Sequence, residues 1–259
     1  LVLNRSDKTI DHRYFYEIAQ YFGPGDVLVI NTTKVFSACI IGRRPTGGKV
    51  EVLLVQEKNK NLWCVLLKPA DRIKSSTKII FSEGIEGEVV GKGADGYFEI
   101  RFNVRDDVAK LLDRIGTMPL PPYIKRPSED LDKEYYQTVY AKQVGSIAAP
   151  TAGLHFTPEL IEEIVKQGAR VALLILHIGP GTFLPVRCND ISKHKMGAEY
   201  YEIHDDVKAM IEKGKRIIAV GTSSTRVLET VTKNRKIGSQ RGWSELFIYP
   251  GYEFKITDV

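Results

Sequence analysis

The sequence predicts an α/β fold, a mixed α/β core domain interrupted by a small antiparallel β-barrel-like insertion. Apolar runs of strand length at residues 27–30, 171–176 and 217–220 each stand beside a helical segment, which is typical of strands buried in an α/β sheet. From Lys49 the pattern changes to short alternating strands separated by glycine turns, which is typical of a small antiparallel barrel or sandwich. We therefore expect a core domain of residues 1–46 and 105–259 and an inserted β domain of residues 47–104.

Composition sets limits on the class of protein. Of 259 residues, 43% are hydrophobic and 27% are charged, ordinary values for a globular chain. The net charge of +5 permits an anionic partner without requiring one. The three cysteines form no Cys-x-x-Cys pair, so they predict neither a disulfide framework nor a zinc site.

No leader or membrane-length apolar run is visible, so we expect a cytoplasmic protein. Because the chain starts at Leu1 and stops just after a strand-like run, we also expect both ends to be trimmed.

The first part of the core shows three elements. Residues 1–4 read as a strand, and Asp11 can cap a helix over residues 12–21. Strand 27–30 ends in the polar run 31–34, and ligands of open α/β sheets bind beyond the carboxyl ends of such strands. After the insertion, we expect a short helix at 108–115 and an extended proline-rich link at 119–123.

The stretch 145–186 organises the second part of the core. A short strand within 145–149 leads to a glycine turn, and Thr157 with Pro158 begins a helix as N-cap and first helical residue. Gly168 stops that helix, and the buried strand 171–176 ends at His177. A helix at 205–214, a third buried strand at 217–220, another helix from Gly221 and a last strand at 246–249 follow.

Residues 221–226 predict an anion site. Gly221, Thr222, Ser223, Ser224 and Arg226 follow a buried strand and open a helix. Free N–H groups and hydroxyls at such a position bind phosphate or carboxylate, and an arginine adds paired donors. The alternative is that a hydroxyl here only caps the helix. The run is no P-loop, since the Gly-Lys-Ser/Thr end is missing.

Two histidines are candidates for proton transfer. His177 follows the buried strand, and His155 lies between a glycine turn and a helix start. A histidine in such a place titrates near neutral pH and can move protons. The alternative is a hydrogen-bonded structural histidine. No metal-ligand spacing and no Gly-x-Gly-x-x-Gly fingerprint occur, so no metal is predicted.

A basic group predicts an RNA face. Arg43, Arg44 and Lys49 begin a run of cations that meets few acids, and Lys125 with Arg126 follows later. Such a surface attracts a phosphate backbone. The alternative is a strand edge kept charged against aggregation.

These runs together resemble the S-adenosylmethionine:tRNA ribosyltransferase-isomerase family. The resemblance is carried by Ala148-Ala149-Pro150-Thr151-Ala152-Gly153-Leu154-His155-Phe156, by Leu176-His177-Ile178-Gly179-x-Gly181-Thr182-Phe183-x-Pro185-Val186 and by Ala219-Val220-Gly221-Thr222-Ser223-Ser224-x-Arg226-x-Leu228-Glu229. Shorter matches are Thr46-Gly47-Gly48-Lys49-Val50-Glu51, Met118-Pro119-Leu120-Pro121-Pro122-Tyr123-Ile124 and Phe247-Ile248-Tyr249-Pro250-Gly251. It covers nearly the whole chain.

The resemblance implies an enzyme of queuosine biosynthesis. Such enzymes move the ribosyl part of S-adenosylmethionine onto the 7-aminomethyl-7-deazaguanine base at the tRNA wobble position. The product is epoxyqueuosine, and adenine and methionine are released. S-adenosylmethionine is then a ribosyl-donating substrate, and the partner is the tRNA anticodon stem-loop. The family usually has a further N-terminal segment and an Asn-Phe-His-Leu-Pro run after its equivalent of Asp258. Where members often have Met-His-x-Glu-Tyr, this chain has Gly197, which leaves Glu199 as a candidate.

The resemblance and the residues together assign roles. His155 or His177 takes the acidified ribose proton, and the other histidine or Glu199 assists the departing adenine. The methionine carboxylate binds at Thr222–Ser224 and Arg226, and aromatic faces at Phe156, Phe183 or Tyr249 contact the sulfonium or a base. The remaining substrate-binding candidates lie in the same turns: Thr151, Gly153, Gly179, Gly181, Thr182 and Gly221. We expect these turns to meet in one cleft, and we favour a monomer. Two alternatives are an RNA-binding module without turnover and an α/β enzyme that acts on a phosphorylated sugar.

Overall fold

A computed structural model of the chain describes residues 1–93, 96–105, 107–183, 186, 188–238 and 240–259, with only the backbone of Phe183. Two predicted features fall outside the described residues: the motif position Pro185 and the side chain of the substrate-binding candidate Phe183.

The strands and helices follow one another along the chain as follows. The strands are β1 Val2–Asn4, β2 Thr9–Asp11, β3 Asp26–Asn31, β4 Thr33–Val35, β5 Cys39–Arg43, β6 Lys49–Asn59, β7 Leu62–Lys68, β8 Lys78–Ile80, β9 Glu86–Lys92, β10 Phe98–Asn103, β11 Gln143–Ser146, β12 Arg170–Leu176, β13 Glu199–Ile203, β14 Arg216–Ala219, β15 Thr232–Lys233, β16 Lys236–Ile237 and β17 Arg241–Ser244. The α-helices are α1 Val108–Ile115, α2 Asp132–Tyr135, α3 Pro158–Lys166, α4 Asp205–Glu212 and α5 Gly221–Val231. Short 3-10 helices are Phe15–Tyr21, Ser82–Gly84, Thr151–His155, Pro180–Phe183 and Ile191–Lys193.

The core domain is built on a five-stranded mixed sheet in the order β14-β3-β12-β13-β17. β3 is parallel to both β14 and β12, while β13 and β17 run antiparallel. Every residue of β3 is buried, as expected for a central strand covered on both faces. The predicted buried strands at 27–30, 171–176 and 217–220 correspond to the three parallel strands.

The inserted barrel is closed by six antiparallel strands in the order β10-β7-β6-β5-β8-β9. Along β7 buried and less buried residues alternate, because successive side chains of a strand point to opposite faces. The interior is filled by large apolar side chains, including Phe98, Ile100 and Leu54. The predicted mixed α/β core with a barrel-like insertion is therefore confirmed. The domain limits at 46/47 and 104/105 stay a prediction, but the barrel sheet already includes Cys39–Arg43, and α1 packs on the barrel core.

The chain enters and leaves the barrel at one neck. Cys39 pairs with Thr117 in an isolated antiparallel bridge, with Cys39 N donating to Thr117 O at 3.1 Å and Thr117 N to Cys39 O at 2.8 Å. Beside it, Val35, Met118, Tyr136 and Ala149 form a small buried cluster. The neck therefore holds both ends of the barrel against the segment that leads to the candidate site.

Two predicted elements are wrong. The predicted helix over residues 12–21 with Asp11 as its cap is instead the 3-10 segment Phe15–Tyr21, and Asp11 is the last residue of β2, which pairs with β1. Tyr14 is the N-cap of this segment, and its backbone N–H donates to the Glu17 carboxylate at 2.7 Å, so the segment begins at Phe15. The last strand of the sheet is Arg241–Ser244, not 246–249. The ladder stops there because Ser244 pairs with Glu199, the first residue of β13.

Glu229 anchors the C-terminal segment to α5. Its buried carboxylate accepts the backbone N–H groups of Lys255, Ile256 and Thr257 and the Thr257 hydroxyl, at 2.7 to 3.3 Å. Burial alone would raise the pKa of Glu229, but these donors lower it below its ordinary value.

Glu229→Gln should therefore destabilise the protein at pH 7 by about 1–3 kcal/mol, because donors arranged around a carboxylate lose a charged acceptor. A lowered folded-state pKa gives stability that is present above the unfolded pKa and is lost as pH falls through the folded pKa. The variant should thus lose less stability than the parent on acidification from pH 7. Urea unfolding at several pH values measures this, with the exposed neighbour substitution Glu253→Gln as control. Equal acid sensitivity of variant and parent would contradict the role of Glu229.

Candidate functional site

Three turns come together at the edge of the core sheet where β3, β12 and β14 end. The first is the 3-10 turn Thr151–His155, the second follows β12 at His177, and the third is the start of α5. A Cβ built on Gly221 would lie 2.9 Å from the Cβ of Ala152, so the first and third turns touch. The second turn is tied to β11, since Ile178 N donates to Ser146 Oγ at 2.6 Å and Ile147 N donates to Ile178 O at 3.0 Å.

His177 is half-buried and held from several sides. Its Nδ1 lies 2.8 Å from Thr33 Oγ1, and its ring stacks on Tyr200 at 5.9 Å between centroids. A Cβ on Gly145 would come within 2.6 Å of the ring, so only glycine leaves room for the imidazole there. Burial lowers the pKa of His177, and the Glu202 carboxylate opposes that fall. Burial thus favours the neutral imidazole over the imidazolium.

Glu199 and Arg226 form a buried ion pair behind the second turn. Arg226 Nη1 donates to Glu199 Oε2, and Nη2 donates to Ser244 O at 3.1 Å. The other carboxylate oxygen accepts Gly179 N–H at 2.9 Å and the Thr182 hydroxyl at 3.5 Å. Burial raises the pKa of Glu199, and Arg226, Gly179 and Thr182 oppose that rise. The pair fixes the turn, and it occupies the Arg226 fork that we expected to bind a carboxylate.

The start of α5 has some of the features expected of the predicted anion site. Gly221 has a φ of +74°, which favours glycine, and no side chain caps this helix. Thr222 is exposed and Ser223 is almost buried, while the Ser224 hydroxyl is fully buried and has no hydrogen-bond partner among the described residues. A ligand anion could therefore reach Thr222 and the first N–H groups, but not Ser224 without local movement.

Some of the predicted site residues in and next to the first turn are exposed, and others are buried in the core. Thr151 and His155 are exposed, and the His155 ring lies 5.2 Å from the Phe15 ring. Phe156 is only 3% exposed and packs against Phe15 and Tyr140, so its ring belongs to the core and offers no face to a ligand. A Cβ on Gly153 would lie 2.1 Å from the Tyr140 hydroxyl. Gly153 therefore serves close packing beneath the turn.

The remaining substrate-binding candidates lie around the second turn and the C-terminal segment. Gly179 and Gly181 are partly exposed and Thr182 is exposed, whereas the Phe183 side chain lies outside the described residues. Tyr249 is 38% exposed and stacks on Phe247 at 6.1 Å. Its ring is thus available to a ligand, although nothing here joins it to the three turns.

The predicted RNA-binding cations lie on two parts of the surface. Arg43 and Lys49 are exposed and directly opposite each other in the β5–β6 hairpin, and Arg44 lies across Gly48. Like charges opposite one another destabilise a hairpin, which favours an anionic partner over a purely structural role. Arg126 is paired with Asp132 through two bonds of 2.7 Å. That pair lowers the pKa of Asp132 to about 2. The neighbouring Lys125 is exposed and takes no part in the pair.

Within the described part of the chain, no group of three or more His, Cys, Asp or Glu residues stands close enough to hold a metal ion. No helix there is long and apolar enough to cross a membrane. A cavity of about 690 Å³ lies at the barrel rim between Asn61 and Arg105 and shares no residue with the three turns. The expected common cleft at the turns stays a prediction.

Sequence reasoning missed two residues that hold His177. Asn31 Oδ1 accepts Leu176 N–H at 3.0 Å and Thr33 N–H at 3.1 Å, and its amide donates to Leu176 O at 3.0 Å. It thereby sets Thr33 beside the imidazole. The polar run at 31–34, which follows a buried strand, is a sequence signal for these two residues. Their spacing along the chain does not predict that they contact the loop at 177.

A mixed α/β sheet that carries a histidine and an uncapped helix start at its strand ends, with an antiparallel barrel inserted, defines a barrel-containing α/β protein. The chain belongs to the protein family described as "Queuosine biosynthesis protein", which matches residues 1–259. Proteins named S-adenosylmethionine:tRNA ribosyltransferase-isomerase from Thermotoga maritima and Thermosipho africanus are 42% and 48% identical to it over 263 residues. Both alignments cover 100% of this chain and 77% of the relative.

A solved structure is also similar. The crystal structure of S-adenosylmethionine tRNA ribosyltransferase from Thermotoga maritima is 31% identical, with a TM-score of 0.44, and the match covers 99% of this chain and 73% of that one.

The buried pair gives a prediction on stability. Arg226→Ala leaves the Glu199 charge buried and unpaired, so we expect a loss of about 3–5 kcal/mol in unfolding free energy. The double variant Glu199→Gln with Arg226→Met removes both charges and should recover part of that loss. Urea unfolding of Arg226→Met, of Glu199→Gln and of the double variant measures the coupling, because these single variants carry the same substitutions as the double variant. Additive losses would show that the pair does not act as a unit.

Proposed function

We propose that this chain transfers and isomerises the ribosyl group of S-adenosylmethionine onto the 7-aminomethyl-7-deazaguanine base of tRNA. The observation that supports this most is that His177 and the start of α5 follow the parallel strands β12 and β14, while Ala152 of the turn at 151–155 lies against Gly221. Each of the three turns carries a group that the reaction needs: exposed His155, His177 and the helix start at Gly221. The names of the relatives favour this reaction over an RNA-binding module without turnover or an enzyme on a phosphorylated sugar. Such a reaction belongs in the cytoplasm.

The chemistry divides between proton removal and charge stabilisation. The sulfonium acidifies the adjacent ribose carbon, and a histidine accepts that proton. The departing adenine requires a hydrogen-bond donor. Because Arg226 is engaged with Glu199, the methionine carboxylate is held by Thr222 and the first N–H groups of α5 rather than by the guanidinium. Glu199 accepts the Gly179 N–H and so holds the turn after β12 in place.

Mass analysis of a precursor-bearing anticodon stem-loop, incubated with S-adenosylmethionine and the protein, tests the activity directly. The expected product carries the added ribosyl-derived group, and free adenine and methionine appear with it. An unmodified stem-loop that still binds would instead support the RNA-binding module.

His155→Ala should lower kcat by about 10²–10⁴-fold if the imidazole accepts the proton, because positioned general bases contribute that much. Because the His155 side chain is exposed, its removal leaves the core packing unchanged, and His12→Ala, also exposed, is the matched control. Unchanged kcat in steady-state assays would remove His155 from the reaction.

The barrel cations give a separate prediction on RNA binding. Replacing Arg43 and Lys49 together by Glu should weaken stem-loop binding and reduce the slope of log K against log salt by about 1 for each lost phosphate contact. Lys213→Glu, at the exposed residue that follows α4, serves as the charge control. Binding and salt slope equal to those of the parent chain would place the RNA elsewhere.

A further inference from the structure

The Thr33–His177 contact decides which way the imidazole faces. Thr33 is fully buried, and His177 Nδ1, at 2.8 Å, is the single partner of its hydroxyl among the described residues. A hydroxyl has one proton to donate, whereas the ring nitrogen facing it is either an acceptor or a donor. Two arrangements are therefore possible, and they leave different groups unsatisfied.

In the first arrangement Thr33 donates its proton to Nδ1, and both groups are satisfied. The neutral ring then carries its own proton on Nε2. In the second, Nδ1–H donates to Oγ1, and the buried Thr33 proton has no acceptor in the described structure. Since a buried donor without a partner is costly, the first arrangement prevails.

From this we infer that Thr33 is a positioning residue that fixes His177 as the Nε2–H tautomer, so that His177 donates a hydrogen bond to the departing adenine while His155 accepts the ribose proton. Nε2 has no hydrogen-bond partner among the described residues, so the proton that it carries in this arrangement is not used within the described structure. The inference rests on the proposed reaction for the identity of the acceptor.

The surroundings of the ring support a neutral donor. Imidazolium would turn Nδ1 into a donor and leave the Thr33 proton without an acceptor, so Thr33 opposes protonation in the same direction as burial. Glu202 is the carboxylate that acts on the ring in the opposite direction. Gly145 and Tyr200 contact the ring and restrict its rotation. Asn31 fixes the backbone on both sides of the contact, at Thr33 and Leu176. The proton remains on Nε2 while the bond to adenine breaks, and the adenine anion takes its proton from water as it leaves, so no net proton transfer by His177 is needed.

The test reads the tautomer directly. Two-bond ¹H–¹⁵N correlation of the histidine side chains in the whole chain, without substrate, should show His177 protonated on Nε2 at pH 7. An Nδ1-protonated ring would overturn the inference. This measurement needs no variant and no turnover, so it remains decisive if the proposed reaction itself fails.

Variants then connect the tautomer to turnover. Thr33→Val keeps the side-chain shape and removes the donor, so the Nδ1–H tautomer should gain population and kcat should fall about tenfold, the effect of one hydrogen bond. KM for S-adenosylmethionine should stay within about twofold of the parent value. Thr33→Ser should restore the tautomer and kcat, and Thr9→Val on the exposed β2 is the control. Full kcat with an unchanged tautomer in Thr33→Val would overturn the role of Thr33, whereas absent turnover in the parent would overturn the proposed function.

Discussion

The buried pair between Glu199 and Arg226 is the constraint on which the site depends. It joins the first residue of β13 to α5, and through Gly179 and Thr182 it also holds the turn after β12. A charge pair this deep is costly to bury, and removing one partner costs more than removing both. The pair therefore fixes the positions of α5, β13 and the turn after β12 relative to one another, rather than adding net stability. The two histidine-bearing turns take their positions from it and from the contact between Ala152 and Gly221.

Much of the fold could be predicted because its signals are local. The parallel strands show as unbroken apolar runs, α3 begins at Thr157 and Pro158 as its capping residues require, and α1 has the predicted bounds. The barrel shows in the alternation of buried and exposed residues along β6 and β7. The failures are also physical. The hairpin of β1 and β2 is short and fully exposed apart from Val2, so it lacks the buried alternation that marks a strand in the sequence, and the end of β17 is set by where its partner strand begins.

The candidate site could be predicted only in part. Glycines, histidines and hydroxyls at strand ends mark the turns, and the first and third of these turns touch at Ala152 and Gly221. The contacts inside the site are different, because a partner from another element decides whether a side chain is free. Arg226 and Phe156 have the right chemistry for a ligand, yet one is paired with Glu199 and the other is in the core. Thr33 looks like one of several polar residues after a strand until His177 is placed beside it.

The neck at Cys39 and Thr117 has a consequence for how this architecture can vary. Because the chain enters and leaves the barrel at adjacent, hydrogen-bonded residues, the length of the peptide between them does not alter the geometry of the core. Loops at the far rim of the barrel can lengthen or shorten while the catalytic half keeps its shape. The length of the barrel loops, which sets how far the protein extends along a substrate, can therefore change in evolution while the residues at the strand ends of the core stay the same.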